Sequence, residues 1–270
     1  MQVISLSSGS HGNACLIQTV HGAFLVDAGL PMRTLLARCA MVGTQPADIR
    51  GIVLTHEHGD HTTSVAPLMR RLNIPLLTMP ATHASLQLSI HTSFIPLAYD
   101  ATVECHGVIF RACPVSHDAV APLAVCINDG INSVAIATDL GQWDEALVCF
   151  MQAAALIVIE ANHDRERLRL SRYDAQLKLR IASKTGHLDN LQAGAFLAEV
   201  ARDGRVRDAW LAHLSQEANS ADLAVKSIHN VLAMKKRQRA YRSVTALPHH
   251  RLLVWGDAQQ TTQRSFWHDD

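Results

Sequence analysis

The stretch from Ile52 to His61, IVLTHEHGDH, runs straight from an apolar segment into five ionisable side chains within six residues. Such crowding where an apolar run stops fits a strand end that opens onto a shared ligand. His56 and His58 lie two apart on extended backbone, which sends both side chains to the same side, where they can meet one ion. Gly59 permits a sharp turn that re-aims Asp60 and His61 toward a second point nearby. The spacing suits two metals, and mixed imidazole and carboxylate donors fit zinc, manganese or iron without thiolates. A chance cluster on a solvated loop is the competing reading.

A dinuclear site needs more donors than one loop supplies, so isolated His or Asp residues are expected at the ends of later strands. His117 follows FRACPVS, Asp139 ends SVAIATD and His213 ends AWLAHLS, each just past an apolar run. Loops at strand ends converge on clefts. Taken singly, a strand-end His is more often an ordinary surface or core residue, and Asp139 would serve to cap a turn. Taken together they assign His56, His58 and His117 to a first metal and Asp60, His61 and His213 to a second, with Asp139 bridging.

The 270 residues suffice for one large core, and the expected division is one domain over 1–258 with a polar tail over 259–270. Lys plus Arg match Asp plus Glu at 24 each, which argues against a strongly basic nucleic-acid binder and confines any polyanion site to a local patch. The six cysteines are scattered without a C-x-x-C pair, as reduced buried thiols would be, and the expectation is a cytoplasmic protein. The opening MQVISLSSGS has no cationic or apolar leader pattern, and no apolar run is long enough to span a bilayer, so no membrane partner is expected.

Periodicity predicts strands over 3–6, 15–19, 23–26, 51–54, 108–114, 123–127, 133–137, 156–159 and 209–211. Helices are predicted from Pro31, over 63–72, weakly over 81–90, and over 143–153, 190–202 and 221–239. Gly204 takes the stop position after the helix beginning near Asn190. Strands alternating with helices suggest sheets sandwiched between helices.

THEHGDH, the isolated His117, the TD at Thr138 and Asp139 and the strand-end His213 resemble the metallo-β-lactamase superfamily. That resemblance implies an α/β fold, an αββα four-layer sandwich with a dinuclear metal cleft at the sheet edges. More narrowly, SSGSHGN (7–13), EANHD (160–164), LKLRIASKTGHLDN (177–190) and HLSQEAN resemble the YycJ-like or WalJ-like branch, which implies 5′-to-3′ exonuclease activity on DNA. Within those stretches Ser10, Asn13, Arg180, Lys184 and Ser215 are the candidate substrate contacts. Two metals can activate a shared hydroxide as nucleophile, so no Ser or Cys nucleophile is required.

A leaving alkoxide still needs a proton. By resemblance to transfer-RNA 3′-processing enzymes, His187 is the general acid and Glu160 its orienter, and both join Asp60 as catalytic candidates. The alternatives are that His187 caps the following helix and Glu160 pairs with an arginine. Between them, RERLRLSRYDAQLKLR is either a phosphate-holding stretch or a charged helix face in water. None of the remaining histidines is assigned as a ligand; His163, three residues after Glu160, is the exception to consider, and His11 stays open. Competing functions are a small-ester or thioester hydrolase on the same scaffold and a non-enzymatic metal-binding protein. Zinc versus manganese and the oligomeric state are not legible.

Overall fold

The structure is a computed structural model that describes residues 1–88, 92–249 and 251–256. The tail over 259–270, the last residues of the expected domain, the end of the weak helix over 81–90, and His91, His250 and His268 lie outside the described residues.

Strands β1 (Gln2–Ser7), β2 (Ala14–Thr19), β3 (Gly22–Val26), β4 (Ile49–Val53), β5 (Leu76–Thr78) and β6 (Phe94–Pro96) open the chain. Strands β7 (Thr102–Cys105), β8 (Val108–Pro114), β9 (Leu123–Asn128), β10 (Ser133–Ala137), β11 (Leu156–Glu160), β12 (Arg207–Ala212), β13 (Tyr241–Ala246) and β14 (Leu253–Trp255) complete it. Among the described residues they form two seven-stranded sheets, ordered β14-β1-β2-β3-β4-β5-β6 and β13-β12-β11-β10-β9-β8-β7. The helices are α1 (Met32–Met41), α2 (Gly59–Thr62), α3 (Val65–Leu72), α4 (Pro80–Ser85), α5 (Glu145–Met151), α6 (Arg165–Leu170), α7 (Ala175–Ile181), α8 (Asn190–Val200) and α9 (Ala221–Met234).

Three apolar interfaces make four layers. Successive residues of a strand face opposite ways, and here both faces are apolar, as strands covered on both sides require. Val3, Ile17, Phe24 and Val53 of the first sheet pack against Phe110, Val125, Val134, Val158 and Trp210 of the second. Their neighbours Ile4, Leu16, Leu25 and Ile52 turn outward onto Leu35 and Cys39 of α1 and Leu68 and Met69 of α3. In the second sheet Ala135, Ile157 and Ile159 turn outward onto Leu147 of α5, Phe196 and Leu197 of α8 and Ile228 of α9. This is the αββα sandwich expected from the resemblance. Among the described residues no helix is long and apolar enough to cross a membrane.

Several helix bounds differ from the sequence reading. Helix α9 stops at Met234 instead of continuing to 239, because Lys236 takes a left-handed backbone (φ 57°) within the cationic run KKRQR. Gly204 does take a left-handed stop (φ 76°), reached through one further 3₁₀ turn over Ala201–Asp203 after α8.

Candidate metal centre and active-site cleft

The chain reverses sharply where three of its strands end. Asp27 after β3, Asp139 after β10 and His213 after β12 all have left-handed backbones, with φ of 61°, 57° and 54°. Such a conformation costs roughly 1–3 kcal/mol at a non-glycine residue and survives where surroundings impose it. Its effect here is to swing each side chain from the sheet edge toward one point.

The loop after β4, which neighbours β3 in the first sheet, reaches the same point. Gly59 does not supply its turn through glycine's freedom: its φ is not positive and an added Cβ would meet nothing within 4 Å. Asp60 and His61 are re-aimed instead by the single helical turn α2, a conformation open to any residue. Glycine is needed next door, at Gly29, where a Cβ would lie 1.6 Å from the Asp60 carbonyl oxygen. Backbone bonds from Asn13 N to Asp60 O (2.8 Å), Ala28 N to His61 O (2.8 Å) and Gly29 N to Asn13 O (2.9 Å) then fix this loop.

Donor atoms of the predicted ligands converge. His56, His58 and His117 offer nitrogens within 4.8 Å of one another, as do donors of His56, His61 and Asp139. His61 Nε2 stands 3.2 Å from Asp139 Oδ2 and 3.5 Å from Asp60 Oδ2, and His213 Nε2 is 3.8 Å from Asp60 Oδ2. Asp139 therefore lies between the two halves of the cluster.

The outer nitrogens of these rings are already held. His61 Nδ1 meets Asp27 Oδ2 at 2.8 Å, His56 Nδ1 meets Thr55 Oγ1 at 3.0 Å, and His117 Nδ1 donates to the Gly186 carbonyl at 3.2 Å. His213 Nδ1 meets Glu160 Oε1 at 2.7 Å. That leaves the inner atoms: His56 Nε2, His213 Nε2 and Asp139 Oδ2 are buried without a hydrogen bond, and His117 Nε2 faces His58 Nδ1 at 3.3 Å. Rings anchored by one nitrogen, with the other aimed at a shared point, are the arrangement by which proteins hold transition metals, and the residues fit such ions.

Protonation agrees with that fit. Burial, reinforced by His61, drives the His56 imidazole well below its ordinary range, and burial lowers His117 as well, leaving neutral rings with free lone pairs. Burial also opposes charge on His213, yet Asp139 and Glu160 outweigh it and raise its pKa to about 9. Burial likewise opposes charge on His61, and Asp27 and Asp139 outweigh it and raise its pKa. The carboxylate side of the cluster thus calls for positive charge, which a divalent cation supplies on displacing those protons.

Glu160 is fully buried at the end of β11 and does more than the sequence reading assigned. Its Oε1 meets both His187 Nδ1 (2.8 Å) and His213 Nδ1 (2.7 Å), while Oε2 accepts from the Leu140 and Leu188 backbone nitrogens. It pairs with no arginine among the described residues. His187 is not a cap either, because Asp189 caps α8 in a reciprocal box with Gln192. Burial disfavours the His187 imidazolium, and Glu160 more than offsets it, so its pKa rises.

The cleft beside the cluster has a volume of about 330 Å³ and is lined by Ser10, Arg180 and Ser215 among the predicted substrate contacts. Asn13 is placed elsewhere: its buried amide accepts from Gly9 N and approaches Asp60 Oδ2 (3.1 Å) and His61 Nε2 (3.0 Å), so it braces the ligand loop. Lys184 does not line the cleft; its carbonyl accepts from Ser116 Oγ and its side chain is exposed. His163 and His11 join no donor cluster among the described residues.

Sequence reasoning missed Asp27 and Asp118. Asp27 accepts from Thr55 N and Thr55 Oγ1 besides meeting His61, and its signal was its place just after strand AFLV, like that of Asp139 after SVAIAT. Asp118 Oδ1 stands 3.3 Å from His117 Nε2, while its Oδ2 accepts from Arg180 Nε at 2.7 Å. Asp27→Ala frees the His61 ring from its buried anchor. We expect metal affinity, titrated with a chelating dye, to fall about 10–100-fold while the fold persists; unchanged affinity would remove Asp27 from the centre.

Comparison with known proteins agrees with this geometry. A model of the beta-lactamase superfamily domain matches residues 23–214. The chain is 33% identical over 236 residues to exodeoxyribonuclease YycJ of Bacillus anthracis, covering 85% of this chain and 88% of that protein. It is 32% identical over 234 residues to exodeoxyribonuclease WalJ of Streptococcus pneumoniae, covering 84% and 87%. The crystal structure of the metallo-beta-lactamase fold protein YhfI from Bacillus subtilis superposes with a TM-score of 0.71 at 19% identity, over 95% of this chain and all of that one, a likeness of fold. The chain belongs to the beta-lactamase superfamily, in its YycJ-like branch.

Proposed function

We propose that this protein is a divalent-metal-dependent exodeoxyribonuclease that removes nucleotides from the 5′ end of DNA. The carrying observation is one cleft that joins the His and Asp cluster, the His187–Glu160 pair and the Arg180 guanidinium. Its similarity to two exodeoxyribonucleases over most of the chain supports the same reading.

His56, His58 and His117 would hold one cation and Asp60, His61 and His213 a second, with Asp139 between them; zinc and manganese both suit the donors. Bound there, such cations acidify the attacking water and neutralise charge gathering on the phosphoryl group. The remaining work falls to side chains. Arg180 draws the phosphate in. Glu160 fixes the His187 ring through Nδ1, so that Nε2 presents its proton to the leaving sugar oxygen. As the water oxygen bonds phosphorus, the P–O bond to that sugar oxygen breaks. The alkoxide takes the His187 proton, and the proton lost by the water restores the balance.

The thioester reading gives the His187–Glu160 pair no proton to deliver, because a thiolate leaves unaided. A purely metal-holding protein would use Glu160 to anchor His213 but would give His187 no proton to deliver. The test is to load the protein in turn with Mn²⁺ and Zn²⁺ and incubate it with 5′- and 3′-end-labelled duplex DNA, single-stranded DNA and RNA, with Asp60→Ala alongside. Stepwise loss of 5′ nucleotides from DNA, absent in Asp60→Ala, is expected. Intact polymers in every metal would overturn the proposal.

A further inference from the structure

One wall of the cleft has no part in holding metal or protons. It is built from the basic stretch between Glu160 and His187, which folds into α6 and α7, capped by Asp164 and Asp174. Most of its cations are occupied in bracing. Arg165 Nε meets Asp189 Oδ2 at 2.5 Å, Arg167 Nη1 donates to the Asn219 carbonyl at 2.9 Å, and Arg169 pairs with Glu166. Among the described residues of this stretch, Arg180 is the cation that lines the cleft.

Around it the wall is apolar. Tyr173 and Leu177 pack with Leu168, Ile181 and Ala218, so the surface is seated on its own small core. Tyr173 Oη is tied to Ser215 Oγ at 3.2 Å, which fixes the phenol against the loop after β12. Asp118 holds Arg180 by Nε, leaving the terminal nitrogens of the fork for a phosphate. An aromatic and aliphatic face beside a fixed guanidinium and hydroxyls matches the parts of a nucleotide: base, phosphate and sugar. The volume of about 330 Å³ is at the lower end of the range in which proteins seat one small ligand.

Resting on the reading of the protein as a nuclease, we propose that this cleft is a terminal-nucleotide pocket. It receives the base and sugar of one nucleotide against Tyr173 and Leu177 with the phosphate under Arg180. Hydrolysis is thereby restricted to release of one nucleotide at a time. Asp118 acts as the positioning residue of Arg180. The wall, and not the metal cluster, then sets the size of the product.

The experiment resolves the products that metal-loaded wild type and the double variant Tyr173→Ala/Leu177→Ala release from uniformly labelled duplex DNA, by length, with KM measured for each. Wild type is expected to release mononucleotides from the first turnover. The opened pocket is expected to raise KM about tenfold and to admit di- and trinucleotide products. Should the double variant fold poorly, Leu177→Trp fills the pocket instead and is expected to slow mononucleotide release and raise KM at unchanged metal content. Identical product lengths and KM in wild type and variants, or oligonucleotides as the first products of wild type, would overturn the pocket while leaving the nuclease reading in place. Intact DNA with wild type, alongside hydrolysis of bis(p-nitrophenyl) phosphate, would overturn the DNA reading and the pocket with it.

Discussion

Asp139→Asn is expected to lower turnover by about 100-fold or more and to cut the metal content read by plasma mass spectrometry, with little loss of thermal stability. Asp139 is buried and lies between the two halves of the cluster, with Oδ2 3.2 Å from His61 Nε2 and Oδ1 3.2 Å from His213 Nδ1. Its carboxyl is held far below the usual range: burial opposes ionisation, and His213 and His61 overcome it. Asparagine keeps the shape and tolerates the left-handed backbone but carries no charge, so the variant isolates the anion from the fold. His61 and His213 would face a neutral amide, and a cation would find one anionic donor fewer. A variant that keeps its metal and its rate would remove Asp139 from the centre.

His187→Ala is expected to separate chemistry from binding. Metal content and KM for DNA should stay close to wild type while kcat falls about 10²–10⁴-fold, the range spanned by general acids. The ring sits at the cleft with its Nδ1 fixed by Glu160, so the other face is the one that meets a leaving oxygen. A diester with a p-nitrophenyl leaving group needs little protonation, and its hydrolysis should suffer far less than that of DNA. Equal losses on both substrates, or a loss of metal, would show that His187 serves the cluster and not the proton.

The layers of the fold and most of the centre were legible because strand ends announce themselves when an apolar run stops at a ligating residue. His117, Asp139 and His213 are each placed that way, and their convergence follows once the strands share a sheet. The shortest strands were not legible. β5 is LLT and β6 is FIP, too brief for a period of two to register, and β13 follows a cationic run that read as the end of a helix. Side-chain partners were less legible still. Asn13 read as a substrate contact from its place in SSGSHGN, yet it braces Asp60 and His61 across 47 and 48 positions of chain. Glu160 could be matched to His187 by resemblance, but its equal hold on His213 depends on β11 and β12 lying side by side, which pairing alone decides.

The pairing of β1 with β14, Val3 against Trp255, has a consequence for how the protein is made. The THEHGDH loop leaves the ribosome long before His213, and β1 stays uncovered on one edge until the chain has been synthesised as far as Trp255. Contacts between such distant segments are slow to form, and open strand edges invite wrong partners meanwhile. A nascent chain would carry a half-built chelating loop on an incomplete sheet through most of its synthesis. The donors of a metal centre would then come together only late, as the sandwich closes.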